Sequence, residues 1–201
     1  MSMSTARKHP SQQRSREMVE WIVEAAARVF EREGIDATTN RIAEEAGVSI
    51  GSLYQYFPDK HALLDELAMR HIDEAEAALV SVWGDTDNGG DDRDVRGLVE
   101  RLVAETARLH EDDGPLHRVM RVHAGRSAEV ADAFARVVAD LTDRVEKALA
   151  DREIDDADGR ARLIVATIDA QVHGVLAGGD AERRADRLRL VVDQVMAVVD
   201  G

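Results

Sequence analysis

The sequence predicts an all-α protein of nine helices in two domains, on three observations. Only seven of 201 residues are aromatic and three are proline, so large strand-forming side chains and turn punctuation are both scarce. Ala, Leu, Arg and Glu, which lose little freedom in a helix, are abundant. Apolar residues make up 44% of the chain, enough for a sizeable core, and recur at helical spacing.

Residues 1–12 show no periodicity and are expected to form a flexible basic arm. From about 13 to 32, Val19, Ile22, Val23, Ala26, Val29 and Phe30 form one helical stripe, which Gly34 ends. Short helices follow at about 40–46 and 50–57, joined by Gly47-Val48-Ser49. Asp59 is placed to cap a long helix reaching about Val82, and Gly84 to Asp92 reads as a loop. Further helices are expected at about 93–111, 115–124, 127–152, 157–177 and 181–199. Gly114-Pro115, Gly125, Asp155-Asp156 and Gly178-Gly179 separate them, with Ser127, Asp156 and Asp180 as N-cap candidates. The expected domains are 13–58 and 59–201.

Composition narrows the function. With no cysteine, the chain has no disulfide, no thiolate metal site and no thiol nucleophile. No apolar run is long enough for a membrane span, and the N-terminus does not resemble a signal peptide, so a cytoplasmic protein without a membrane partner is expected. The net charge of −14 is unevenly spread. Residues 1–60 carry 8 basic and 9 acidic groups, whereas 61–201 carry 18 and 31. Arg7, Lys8, Arg14 and Arg16 all precede the first acid, Glu17. A polyanion is therefore repelled by the long C-terminal part and admitted at the N-terminal end.

The most informative stretch runs from Thr39 to Pro58, TNRIAEEAGVSIGSLYQYFP. Ala43, Gly47 and Leu53 have helix-turn-helix spacing: a small residue at the helix contact, a glycine for the turn, an apolar anchor on the second helix. Ile50, Gly51, Ser52, Tyr54 and Gln55 then face outward wholly or in part, and a helix of this size fits a major groove. Tight helical corners of this spacing also occur as plain structure. The outer face of helix 50–57 holds no acid, although the protein is acidic, and Arg41 and Lys60 stand at its edges. That favours DNA over an interaction module that merely keeps the shape.

Residues 16–64 closely resemble the N-terminal domain of TetR-family transcriptional regulators, through TT, IAEEAGVS, GSLYQYF and a lysine three residues beyond the phenylalanine. The resemblance implies a homodimer that binds a palindromic double-stranded operator, most often as a repressor, and is released by a small-molecule effector. It implies phosphate contacts from Thr39, Ser52, Gln55, Tyr56 and Lys60, and base contacts from Ile50, Gly51 and Tyr54. Arg41 is a further base-edge candidate in the supporting helix.

The C-terminal part offers no catalytic constellation, and neither a cofactor nor a metal is expected. His117 and His123 are six apart, which suits no helical zinc motif. Candidate lining for an effector pocket is Met69, Trp83, His117, Met120, Arg121, His123, Phe134, Gln171 and His173. Helix 157–177 is apolar on two sides, with Leu163, Ala166, Ala170 and Gly174 on one flank. Helix 181–199 repeats Leu188, Val191, Val192, Val195 and Val199 at near-heptad spacing. These nine residues are the expected dimer contact.

Overall fold

The structure, a computed structural model, describes residues 9–84, 94–110, 114–172 and 181–200. Within them lie nine α-helices, one 3-10 turn and no strand. They are α1 (His9–Glu33), α2 (Thr39–Ala46), α3 (Ile50–Tyr56), α4 (Lys60–Gly84), α5 (Val95–Leu109), α6 (Pro115–Ala124), α7 (Ala128–Ala150), α8 (Ala157–Gln171) and α9 (Ala181–Asp200). The turn, Gly34–Asp36, follows α1. Of the expected loop from Gly84 to Asp92, Gly84 ends α4, while 85–92, like the Asp180 cap, His173 and Gly174, lie outside the described residues.

Contacts divide the chain into Met1–Ala68 with Gly114–Ala128, and Met69–Asp113 with Glu129–Gly201. This differs from the expected boundary at 58/59. The first turns of α4 belong with the N-terminal helices, and so does α6, which packs on α1 and on the 3-10 turn.

In the first unit, Ile22, Val29, Phe30, Ile42, Leu53, Leu63 and Leu64 have no exposed surface. Burying a side chain of this size contributes about 1.5–3 kcal/mol, and this unit holds five of the chain's seven aromatic residues, Trp21, Phe30, Tyr54, Tyr56 and Phe57. The starts of α2, α3, α4 and α6 are capped. Thr38 Oγ1 accepts from the Arg41 N–H, 3.3 Å, and Ser49 Oγ from the Ser52 N–H, 3.0 Å. Asp59 Oδ1 accepts from the N–H groups of His61, 2.8 Å, and Ala62, 3.0 Å. At α6 the N-cap is Gly114, which has no side chain. Glu31 of α1 supplies the cap instead, its Oε2 accepting from the Leu116 N–H at 3.1 Å.

The second unit builds its core from Leu98, Val99, Leu102 and Val103 of α5, Val145 and Leu149 of α7, Ile164, Val165 and Ile168 of α8, and Val191, Val192, Val195 and Val199 of α9. Two arginines tie α9 down. Arg184 donates to the Ala107 carbonyl at the end of α5, 2.7 Å. Arg160 of α8 donates to the carbonyls of Val198, 2.6 Å, and Val199, 2.7 Å, so that cationic groups meet helix C-termini where they are favoured. Asp156 takes the expected N-cap position of α8 in a left-handed conformation, φ 52°, without a side-chain capping bond.

Candidate nucleic-acid interface

The α2–α3 corner forms as its residues require. Ala43, 3% exposed, sits at the helix contact, and Leu53 anchors α3 with no exposed surface. Gly47 turns the chain at φ 69° and ψ 27°, and its N–H satisfies carbonyls at the end of α2. A left-handed residue costs an L side chain roughly 1–2 kcal/mol, hence the glycine.

The outward face of α3 is then open. Tyr54 is 50% exposed, Ile50 is 36% exposed, and Gly51 and Gln55 are exposed, while Ser52 and Tyr56 are partly covered. A Cβ on Gly51 would touch only Ser49 Oγ, at 3.8 Å, so the backbone there is open to close approach. The Tyr54 hydroxyl lies 3.0 Å from Thr39 Oγ1, joining the face of α3 to the first residue of α2. The Ser52 hydroxyl is 2.8 Å from that of Ser49. The Lys60 ammonium donates to the carbonyls of Ile35, 2.8 Å, and Ala37, 3.3 Å. An ammonium carries three N–H groups, so one remains for another acceptor.

Arg41 is more committed than the sequence suggests. Its guanidinium pairs with Glu44, 2.9 Å, and Glu33, 3.4 Å, and the Glu33 hydrogen bond leads the effects that raise its pKa. Arg32 and then Arg28 hold the Glu45 carboxyl below its ordinary range. Asp59 is likewise lowered, chiefly by the Ala62 N–H. Sequence reasoning missed Ser49, whose place before a helix start is a capping signal, and Ser15, whose hydroxyl donates to that of Tyr56 at 3.5 Å.

The expected pocket residues are divided between the two units. His117, Met120, Arg121 and His123 lie on α6 in the first unit; Met69, Trp83, Phe134 and Gln171 belong to the second. His123 is buried, but its Nε2 meets Asp65 Oδ1 at 2.9 Å and its ring stacks on His61, centroids 5.3 Å apart. Arg121 and Phe134 are exposed, the latter by 47%. Trp83 borders a narrow groove with Leu79, Val137 and Leu141, under the Arg144 guanidinium at 5.8 Å. A larger groove, about 430 Å³, lies between α5 and α9 over Val103, Leu188 and Val192, where no pocket was expected.

The expected dimer residues separate into two sets. Leu163, 58% exposed, Ala166 and Ala170 lie on the surface of α8. Val191, Val192, Val195 and Val199 instead fill the core of their own chain, and Leu188 is half-buried beside them. On α9 the exposed large apolar residue is Leu190, 68% exposed, which the heptad reading missed.

Residues 22–67 match the family model described as bacterial regulatory proteins, tetR family. An HTH-type transcriptional regulator of Staphylococcus aureus is 40% identical over 53 residues, which are 26% of this chain and 29% of that protein. The match thus spans less than a third of the curated relative. Among solved structures, a TetR-family regulator from Mesorhizobium loti superposes with a TM-score of 0.69 at 20% identity, covering 93% of this chain and 97% of that one. FadR from Bacillus subtilis, solved in complex with stearoyl-CoA, gives 0.62 at 19% identity, covering 91% and 98%. These relatives are named as regulators of transcription. Residues 22–67 are thus a TetR-family regulatory module, set in an all-α chain whose fold is shared with solved TetR-family regulators.

Proposed function

We propose that the protein is an effector-responsive repressor that binds a palindromic DNA operator as a homodimer. The observation that carries this reading is the outer face of α3, where Ile50, Gly51, Tyr54 and Gln55 are exposed and no acid intervenes. Tyr54 and Ile50 read base edges, with Ile50 suited to apolar contact such as a thymine methyl. Thr39, Ser52, Gln55, Tyr56 and the remaining N–H of Lys60 take phosphates.

Leu163, Ala166 and Ala170 on α8 with Leu190 on α9 support dimerisation, because exposed apolar side chains at helical spacing lack cover in the single chain. Effector response falls to the second unit, and α4, which begins in the first unit and continues into the second as one helix, is one covalent route for its effect. An effector acts only by binding one arrangement more tightly than the other.

The test is selection of duplexes from a random pool, followed by titration and sedimentation. Recovery of a two-fold symmetric site bound by a dimer is expected, with Tyr54→Ala blurring its sequence preference. A chain that binds no duplex above its non-specific level overturns the reading, leaving an interaction module of the same shape.

A further inference from the structure

Helix α1 starts at His9, so residues 14–16, expected at the helix start, lie a turn and more inside it. The Ser15–Tyr56 hydrogen bond fixes this turn beside the last residue of α3. Arg14 and Arg16 flank Ser15, about 100° to either side around the helix. Both are exposed, and neither has an ion-pair or hydrogen-bond partner among the described residues.

The other arginines of α1 and α2 differ. Arg28 and Arg32 share Glu45, and Arg41 lies between Glu33 and Glu44. The nearest acid in sequence, Glu17, stands about 200° around the helix from Ser15, and Gln13 donates to its carboxylate at 3.0 Å. In a chain of net charge −14, two guanidinium groups without an ion-pair partner among the described residues are thus carried on the turn next to Tyr56, and the Glu17 carboxylate is engaged by Gln13 instead.

We infer that Arg14 and Arg16 clamp the phosphodiester backbone of duplex DNA. The inference rests on the DNA-binding reading and extends it to α1. The chemistry is specific to arginine's planar fork, which meets two phosphate oxygens at once. Placed beside Tyr56, the pair widens the phosphate contact beyond α2 and α3 and fixes the register in which α3 meets the groove. The contact carries no sequence information of its own.

Salt dependence reads the contact directly. Two lost phosphate contacts per subunit lower the log–log slope of affinity against salt by about 3.6 per dimer, at roughly 0.9 for each phosphate. The full-length chain is titrated with its selected duplex between about 0.05 and 0.3 M salt, a range over which such contacts weaken steeply. Arg14→Gln with Arg16→Gln is expected to flatten the slope by about that amount and to weaken matched and mismatched duplexes by the same factor. Arg14→Lys with Arg16→Lys restores most of the slope by charge and less of the affinity, because the fork is lost. Arg28→Gln, removing an arginine already paired to Glu45, leaves the slope within about 0.5 of wild type, below one phosphate. A wild-type slope in the double glutamine variant overturns this inference alone. An unsubstituted chain that binds no duplex overturns it together with the function proposed above.

Discussion

Gly114 and Glu31 form a pair whose joint substitution tests how α6 is held. A Cβ built on Gly114 would fall 2.6 Å from Glu31 Oε2 and 2.7 Å from its Cδ, closer than non-bonded atoms approach. The carboxylate is the far end of a flexible side chain, so it swings away rather than straining the backbone, and the cap on the Leu116 N–H is lost. Losing a helix cap costs about 0.5–2 kcal/mol. Gly114 has an ordinary backbone conformation, φ −73°, that alanine adopts freely. Alanine therefore returns about 0.4–1 kcal/mol by restricting the unfolded chain. In the wild-type background the two effects oppose, and Gly114→Ala falls between a gain of about 0.5 and a loss of about 1.6 kcal/mol. With Glu31→Ala in place there is no cap to lose, and the same substitution stabilises by about 0.4–1 kcal/mol. The coupling across the four proteins then equals the cap, about 1 kcal/mol. Urea unfolding followed by Trp21 fluorescence in a Trp83→Phe background measures it, because Trp21 lies on α1. A coupling below about 0.3 kcal/mol, the usual additivity error, would refute the reasoning.

Three further outcomes follow from residues already described. Gly47→Ala meets no atom within 4 Å, so its cost is conformational alone, about 1 kcal/mol net of the unfolded-chain gain, with Gly47→Asn milder; differential scanning calorimetry reads both. Leu163→Glu with Leu190→Glu is expected to give folded monomers by sedimentation, whereas Val195→Glu, at a site with no exposed surface, is expected to lower the melting temperature sharply before any dimer is lost. The Asp59 carboxyl is held below its unfolded pKa, so its cap is complete above about pH 4 and fades as pH falls through the folded value; Asp59→Asn keeps a cap that does not titrate, and acid unfolding curves of the two proteins should converge at neutral pH and part in acid.

What was legible in the sequence was local. Ala43, Gly47 and Leu53 specify a corner within fifteen residues, and Gly47 adopts the left-handed turn its position implies. Helix limits fell within a few residues because Gly34, Asp59 and Gly114-Pro115 act on their own neighbours. What was hidden depends on which distant surface covers a given face. The valine stripe of α9 announces burial but not the burying partner, and α5 and α8 of the same chain supply it. The attachment of α6 to α1 rests on Glu31 and Leu116, 85 residues apart, and His123 finds Asp65 across 58. No periodicity encodes such pairs. The burial of His123 against Asp65 and His61 is of the same kind, since a histidine on a helix says nothing about its neighbours on another.

The membership of α6 in the first unit bears on how this protein can be cut and recombined. The backbone passes from one unit to the other at Ala68, returns before Gly114 and leaves again after Ala128. A fragment ending with α3, or even at Ala68, would carry an α1 that keeps α2 but lacks α6, and a Glu31 with no helix end to cap. A hybrid regulator made by exchanging the first sixty residues would inherit a foreign α6 from its recipient and must match it to this α1. Transplantation of the DNA-reading part is therefore a two-segment graft, and the segment from Gly114 to Ala128 travels with it.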